Sequence, residues 1–203
     1  MIDIDTRDRL RIVSINRPEK ANSLTREMLV ALEEAVVAAS EDKALNALVL
    51  TGVGKVFSAG MDLEAAKAGL ARDGVWERLS GAIAASPILT IAALNGTVAG
   101  GALGMVLACD LRVAVPSAKI FYPVMRLGFL PQPSDPGRLS ALVGPSRAKM
   151  ILMAGQKIET PEASAIGLID TVADDPLAKA QDLAADALSA DRTHVAAIKD
   201  LCR

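Results

Sequence analysis

The sequence predicts a single compact α/β domain with a helical C-terminal part. Three observations carry this. Two short runs, ALVLTG (47–52) and PILTIAAL (87–94), are apolar almost throughout, as strands are when a parallel sheet is covered on both faces. Apolar residues elsewhere recur at helical spacing. Both strands run into glycine-containing turns that lead toward a helix, in LVLTGVGKVFSAGMDL and IAALNGTVAGGALGM. A chain of 203 residues has the length of one domain, and no low-complexity linker or long charge run divides it. Within that one unit the patterning distinguishes a core over residues 1–140 from a helical region over 141–203.

The N-terminus alternates like a strand, and LRIVSIN (10–16) continues as one. RPEKANS reads as a turn. Thr25 then caps a helix whose buried face is Met28, Leu29, Leu32, Ala35, Val36 and Ala39. After the first buried strand, FSAGMDL reads as a turn, and residues 64–80 read as a polar, glycine-punctuated, weakly helical and mobile segment. The second buried strand enters the glycine stretch, followed by a helix over 102–109 and strands at 111–115 and 119–122. Beyond PQPSDPG the pattern is mostly helical, with helix starts at Pro136, Pro145, Pro161 and Pro176.

Composition narrows the function. Hydrophobic residues make up 51% of the chain and aromatic residues 2%, so the core is built from Ala, Leu, Val and Ile. Lys plus Arg number 22 against 24 acidic residues, which leaves no basic excess for nucleic acid. No run of about 18 apolar residues lacks a charge, so no membrane span is expected. The charged, strand-like start resembles neither a signal nor a transit peptide, and Cys109 and Cys202 are expected to be reduced, in a cytoplasmic protein. One histidine and no Cys-x-x-Cys leave no metal site to build.

Both glycine turns are suited to holding an oxygen, because a strand-to-helix junction leaves peptide N–H groups without partners. Two such groups converging on one oxygen make an oxyanion hole. Taken singly, each turn is equally readable as plain packing. Read with what lies between them, NRPEKANSLTREML, VFSAGMDL, ALNGTVAGGALGMVLACDLRVA and GQKIETPEASAIGLID, in this order, resemble the enoyl-CoA hydratase/isomerase (crotonase) family. The resemblance implies a crotonase-like (ClpP/crotonase) spiral of repeated ββα units, with a helical C-terminal region shortened relative to the family. It implies a homotrimer or dimer of trimers. It also implies an acyl-CoA substrate whose thioester carbonyl is gripped by two peptide N–H groups, with coenzyme A entering as part of the substrate and no tightly bound cofactor. Carried over by motif, the donors are Ala59 and Gly101, and Lys20, Ala21, Asn22, Ser58, Gly60, Met61 and Asp62 fall in the segments that meet CoA. Arg17, Lys20 and Lys55 are candidates for CoA phosphates, or solvated surface charges.

The chain departs from the family at the acids. Hydratases of the family carry two glutamates, and the matching positions here are Gly104 and Val124. General acid–base catalysis contributes typically about 10²–10⁴-fold, which glycine and valine cannot supply. Asp135 is a candidate replacement, or an N-cap ahead of Pro136. Tyr122 is a candidate proton donor, or a buried structural phenol. Glu64 and Glu77 read as a solvated helix face, Arg126 as surface, and His194 as exposed in the last helix. Phe57, Phe121, Tyr122 and Phe129 wall an acyl pocket or pack the core. Three functions fit: an enzyme working through a CoA-thioester enolate with non-standard acids, a catalytically silent acyl-CoA-binding or assembly protein, and a binder of some other carbonyl ligand.

Overall fold

The structure, a computed structural model, describes residues 1–202. Strands β1 (Ile2–Arg7) and β2 (Leu10–Ile15) form an antiparallel hairpin. β2 then pairs in parallel with β3 (Ala47–Gly52), β3 with β5 (Leu89–Leu94), β5 with β7 (Leu111–Ala114), and β7 with β10 (Thr171–Val172). The resulting six-stranded sheet has the order β1-β2-β3-β5-β7-β10. A second sheet, in the order β4-β6-β8-β9, contains β4 (Val56–Ser58), β6 (Thr97–Ala99), β8 (Lys119–Phe121) and β9 (Ile158–Glu159).

Each pass of the chain puts one strand in the large sheet and the next in the small one, then adds helix. β3 and β4 lead to α2 (Leu63–Lys67) and α3 (Val75–Ala85), β5 and β6 to α4 (Ala102–Ala108), and β7 and β8 to α5 (Val124–Leu127). Because these passes pair in parallel within both sheets, they form the turns of a ββα spiral. Helix α1 (Arg26–Glu41) precedes them, with Thr25 Oγ1 accepting from the Met28 N–H at 3.3 Å as the cap.

Double coverage explains the apolar strands. Leu48, Leu50, Ala92 and Leu94 face the core shared with α1, α3 and α4, while Ala47, Val49, Ile91 and Ala93 face a second core. That second core is closed by α9 (Pro176–Ser189) through Ala180 and Ala184. The region after 140 also includes α6 (Asp135–Val143), α7 (Pro145–Leu152), α8 (Thr160–Ala165) and α10 (Arg192–Leu201). Pro136, Pro145, Pro161 and Pro176 each stand in the first turn of one of these helices. The region is not purely helical, since it lends β9 to one sheet and β10 to the other. Two-residue strands carry no periodicity, and only the neighbouring edge defines them. The 64–80 segment is likewise more ordered than its composition suggests: α2, a 3₁₀ turn over Leu70–Arg72 and the first half of α3 occupy it, anchored by buried Val75, Trp76 and Leu79. No helix among the described residues is long and apolar enough to cross a membrane.

Successive turns of the spiral touch through bare backbone. A Cβ on Gly96 would lie 2.0 Å from the Lys55 carbonyl oxygen, and one on Gly52 would lie 2.9 Å from Asn95 Oδ1 of the next turn. Asn95 stitches the same place, accepting from the Gly52 N–H at 3.1 Å and donating to the Gly54 carbonyl at 2.9 Å. Gly96→Ala must separate the two turns. Overpacking of this kind costs about 3 kcal/mol, which for a domain of this length lowers Tm by roughly 6–12 °C, measurable by thermal melting followed by circular dichroism.

Candidate active site

The first glycine turn joins β4 to α2. Gly60 adopts φ +89°, and Asp62 caps the helix by accepting from the N–H groups of Glu64 at 3.0 Å and Ala65 at 3.3 Å. Those backbone donors, Ala65 foremost, and the Arg17 guanidinium hold the Asp62 carboxyl below the usual carboxylate range. The Ala59 N–H is spent: it donates to the Ala21 carbonyl at 2.9 Å. Assigning the first donor to Ala59 is therefore incorrect. The peptide N–H of this turn left without a hydrogen-bond partner among the described residues is that of Met61, beside a glycine whose N–H goes to Ser58 Oγ at 3.1 Å.

The second turn joins β6 to α4. Gly100, at φ +57°, donates its N–H to the Phe121 carbonyl at 3.1 Å. The Gly101 N–H has no partner among the described residues. A Cβ at position 101 would lie 3.1 Å from the Trp76 ring, which would have to give by a few tenths of an ångström. Trp76 is itself fixed by donating Nε1–H to the Leu70 carbonyl at 3.0 Å. The two turns are in contact, since a Cβ on Gly60 would stand 2.6 Å from the Ala99 carbonyl oxygen and 3.5 Å from Gly100 Cα. Residues 59, 61, 100 and 101 all open onto one cavity of about 280 Å³. Its remaining wall is mostly apolar, with Trp76, Phe121, Val124, Leu127 and Phe129 among the lining side chains, while Tyr122 and Gln132 are its polar members. Phe57 is fully buried core and has no part in it.

Behind the cavity lies a carboxylate. Asp135 is 1% exposed, and its Oδ2 accepts from the Tyr122 hydroxyl at 2.9 Å. Its Oδ1 is buried with no hydrogen-bond partner among the described residues. Asp135 is not an N-cap: Ser134 holds that position in α6, and no side chain caps the helix there. The carboxyl group instead fills the space over Gly104, where a Cβ would come within 2.8 Å of Oδ1. Burial raises the Asp135 pKa to about 6, against the lowering effects of the Tyr122 hydrogen bond and of Arg138. Burial, and then the Asp135 charge, push the Tyr122 phenol far above its ordinary range, so it remains neutral.

Other candidates serve the scaffold. Asn22 is fully buried, accepting from the Arg17 N–H at 2.8 Å and donating to the Val53 and Val56 carbonyls at 3.0 and 2.7 Å. Ser58 Oγ donates to the Asn22 carbonyl at 2.8 Å, and the Ala21 carbonyl takes the Ala59 N–H. The side chains of Asn22 and Ser58 thus brace the first turn and are not open to a ligand. Arg17 pairs with Asp62 at 2.8 Å, while Lys20 and Lys55 remain exposed. Glu64 pairs with Lys67 on the surface, and Arg126 and His194 are exposed. Glu77 is not merely solvated: its carboxylate accepts the Ser134 N–H at 3.2 Å and the Ser134 hydroxyl, holding the start of α6. A larger cleft of about 890 Å³ lies elsewhere, lined by Leu107, Cys109, Leu142, Val195 and Ile198 with the pairs Arg112–Asp170 (2.9 Å) and Lys199–Asp110 (2.7 Å). It adjoins neither glycine turn, and its cations Arg112 and Lys199 are already paired. No cluster of three potential metal ligands occurs among the described residues.

Residues 5–203 match the family described as Enoyl-CoA hydratase/isomerase. The chain belongs to the enoyl-CoA hydratase/isomerase family. A Mycobacterium tuberculosis protein named "Probable enoyl-CoA hydratase EchA14" is 36% identical over 95% of this chain and 77% of its own length. The crotonyl-CoA hydratase of Syntrophomonas wolfei is 34% identical over 84% of this chain and 68% of its own. A crystal structure of enoyl-CoA hydratase from Bacillus anthracis superposes with a TM-score of 0.91 at 28% identity, covering 98% of this chain and 81% of that one. The crotonase fold inferred from the glycine motifs is thus the fold observed. Against that family frame, the feature that sequence spacing could not reveal is the meeting of Tyr122, Asp135 and Gly104.

The buried carboxyl sets a pH dependence. The folded-state pKa of about 6 lies above the ordinary 3.8, so between those values the native protein binds more of this proton than the unfolded chain does. The contribution is absent below about pH 4 and destabilises progressively as pH rises through 6. Asp135→Asn, which keeps an acceptor for Tyr122, is expected to stabilise the fold by on the order of 2–3 kcal/mol at pH 8. The gain shrinks toward zero by pH 4, as read from urea melts at both pH values.

Proposed function

We propose that this protein binds an acyl-CoA thioester in the 280 Å³ cavity and stabilises its enolate. The carbonyl oxygen is held by the peptide N–H groups of Met61 and Gly101. The observation that carries the reading is that the two turns, in backbone contact at an apolar cavity, each keep one N–H unpaired. Each donor of such a pair is typically worth about 2.7–4 kcal/mol in the transition state. The acyl group lies against Trp76, Phe121 and Phe129, and exposed Lys20 and Lys55 are the available cations for CoA phosphates. The names of the relatives point to the same substrate class.

The labelled carbonyl of [1-¹³C]butanoyl-CoA is expected to move downfield on binding, as polarisation by two donors requires. Gly101→Pro, which removes one donor, abolishes most of that shift. Binding without any shift would rule out the hole and leave a silent acyl-CoA binder. That second reading is favoured by one observation, the absence of a carboxylate at Gly104 and Val124. For the same reason crotonyl-CoA hydration is expected to be negligible. A rate equal to that of the Syntrophomonas enzyme measured alongside would refute this.

We also propose a homotrimer or a dimer of trimers. Met150 (45% exposed) and Met153 (59%) at α7, and Ile198 (51%) and Leu201 (87%) on α10, leave apolar surface on the C-terminal helices for a neighbouring copy. Light scattering at micromolar concentration is expected to report three or six chains, and a stable monomer would refute it.

A further inference from the structure

We infer that Tyr122 and Asp135 form a single proton relay to the bound acyl group, with Tyr122 as the catalytic residue facing the cavity and Asp135 as the positioning residue that stores the proton behind it. The inference rests on the acyl-CoA reading and adds the group that moves the proton. Three geometric facts carry it. Tyr122 lines the same cavity as Met61 and Gly101. Its hydroxyl hydrogen is committed to Asp135 Oδ2 at 2.9 Å and the Gln132 N–H reaches the same oxygen, which leaves one lone pair of the phenol oxygen for an incoming proton. Asp135 Oδ1 is buried without a partner, so among the described residues the carboxyl has no other hydrogen-bonding employment. A carboxylate that served only packing would be costly, because an unpartnered buried acceptor destabilises the fold.

The step balances with no further reactant. A proton α to the thioester carbonyl passes to the Tyr122 oxygen as the phenol proton passes to Asp135 Oδ2. The C–H electron pair becomes the enolate, with its charge on the oxygen held by the two peptide N–H groups. Tyr122 ends neutral and Asp135 protonated. Reversal returns the proton to the same carbon, or to the γ carbon when the acyl chain is unsaturated at β,γ, which is a double-bond shift. Among the described residues one acid–base relay serves the cavity, so the chemistry it supports is proton exchange and isomerisation; addition of water needs a second group. Asp135 is within range of charge from each element around it: Tyr122 after β8, Arg138 on α6 and Glu77 on α3, while α4 contributes no titratable side chain. Burial lifts its pKa to about 6, and the balance of the three neighbours leaves it there, close to neutrality, where a carboxyl can both take and return a proton.

The test is exchange of the α hydrogens of [1-¹³C]butanoyl-CoA in D₂O, followed by proton NMR, with binding and the carbonyl shift read in the same samples. The wild type is expected to exchange, with a rate that rises with pH and levels off above about 6. Tyr122→Phe and Asp135→Asn are each expected to lose about 10²-fold or more with binding and carbonyl shift retained, and Asp135→Asn to lose the pH dependence as well. Gly104→Ala, which forces Oδ1 aside from 2.8 Å, is expected to slow exchange in the same way. Wild-type exchange that survives in both Tyr122→Phe and Asp135→Asn would overturn the relay and leave the peptide hole standing. A shifted carbonyl without wild-type exchange would also overturn the relay alone. Absence of both binding and shift would remove the acyl-CoA reading and the relay with it.

Discussion

The molecule depends on backbone meeting backbone. The β5–β6 pass of the spiral sits on the β3–β4 pass where no side chain could fit, at Gly96 over the Lys55 carbonyl and at Gly60 against the Ala99 carbonyl. These contacts set the spacing between passes of the chain, and with it the separation of the Met61 and Gly101 peptides. Around them the polar side chains Asn22, Ser58 and Asn95 spend their hydrogen-bonding capacity on main-chain groups of the same turns. Each such bond contributes about 1 kcal/mol net, and together they hold a loop region as stiffly as a sheet. A hole made of peptide groups requires that stiffness, because its donors have no rotamers with which to adjust.

Much of this was legible in the chain. Wholly apolar strands announced a sheet buried on both faces, and alternate residues of β3 and β5 do lie in different cores. The cap at Thr25 and the proline-started helices followed from local chemistry that survives folding unchanged. The glycine motifs identified the two turns that matter. What sequence could not settle was which peptide in a turn keeps its hydrogen free. Ala59 and Met61 flank the same glycine, and the choice between them is made by the Ala21 carbonyl, which arrives from a distant segment to take the Ala59 N–H.

The acid group shows the same limit more sharply. Asp135 followed by proline has the local signature of a helix cap, yet its side chain turns away from the helix end toward Tyr122. Only the packing of α6 on α4 decides that. Residues 64–80 were misleading for a related reason. Their glycines and charges suggested mobility, but Trp76 lies against Gly101 and is locked by its own hydrogen bond. A single aromatic side chain outweighs the composition of the segment around it.

Gly104 and Asp135 also constrain how this chain can change. The seat and the carboxyl that fills it are encoded on different helices and occupy one shared space. A side chain introduced at 104 collides with Asp135 Oδ1 before it can reach the cavity, and removal of the Asp135 carboxyl alone leaves a void beside α4. Such neighbours do not contribute additively. A glutamate introduced at 104 would have to displace the Asp135 carboxyl, so the two positions compete for one space.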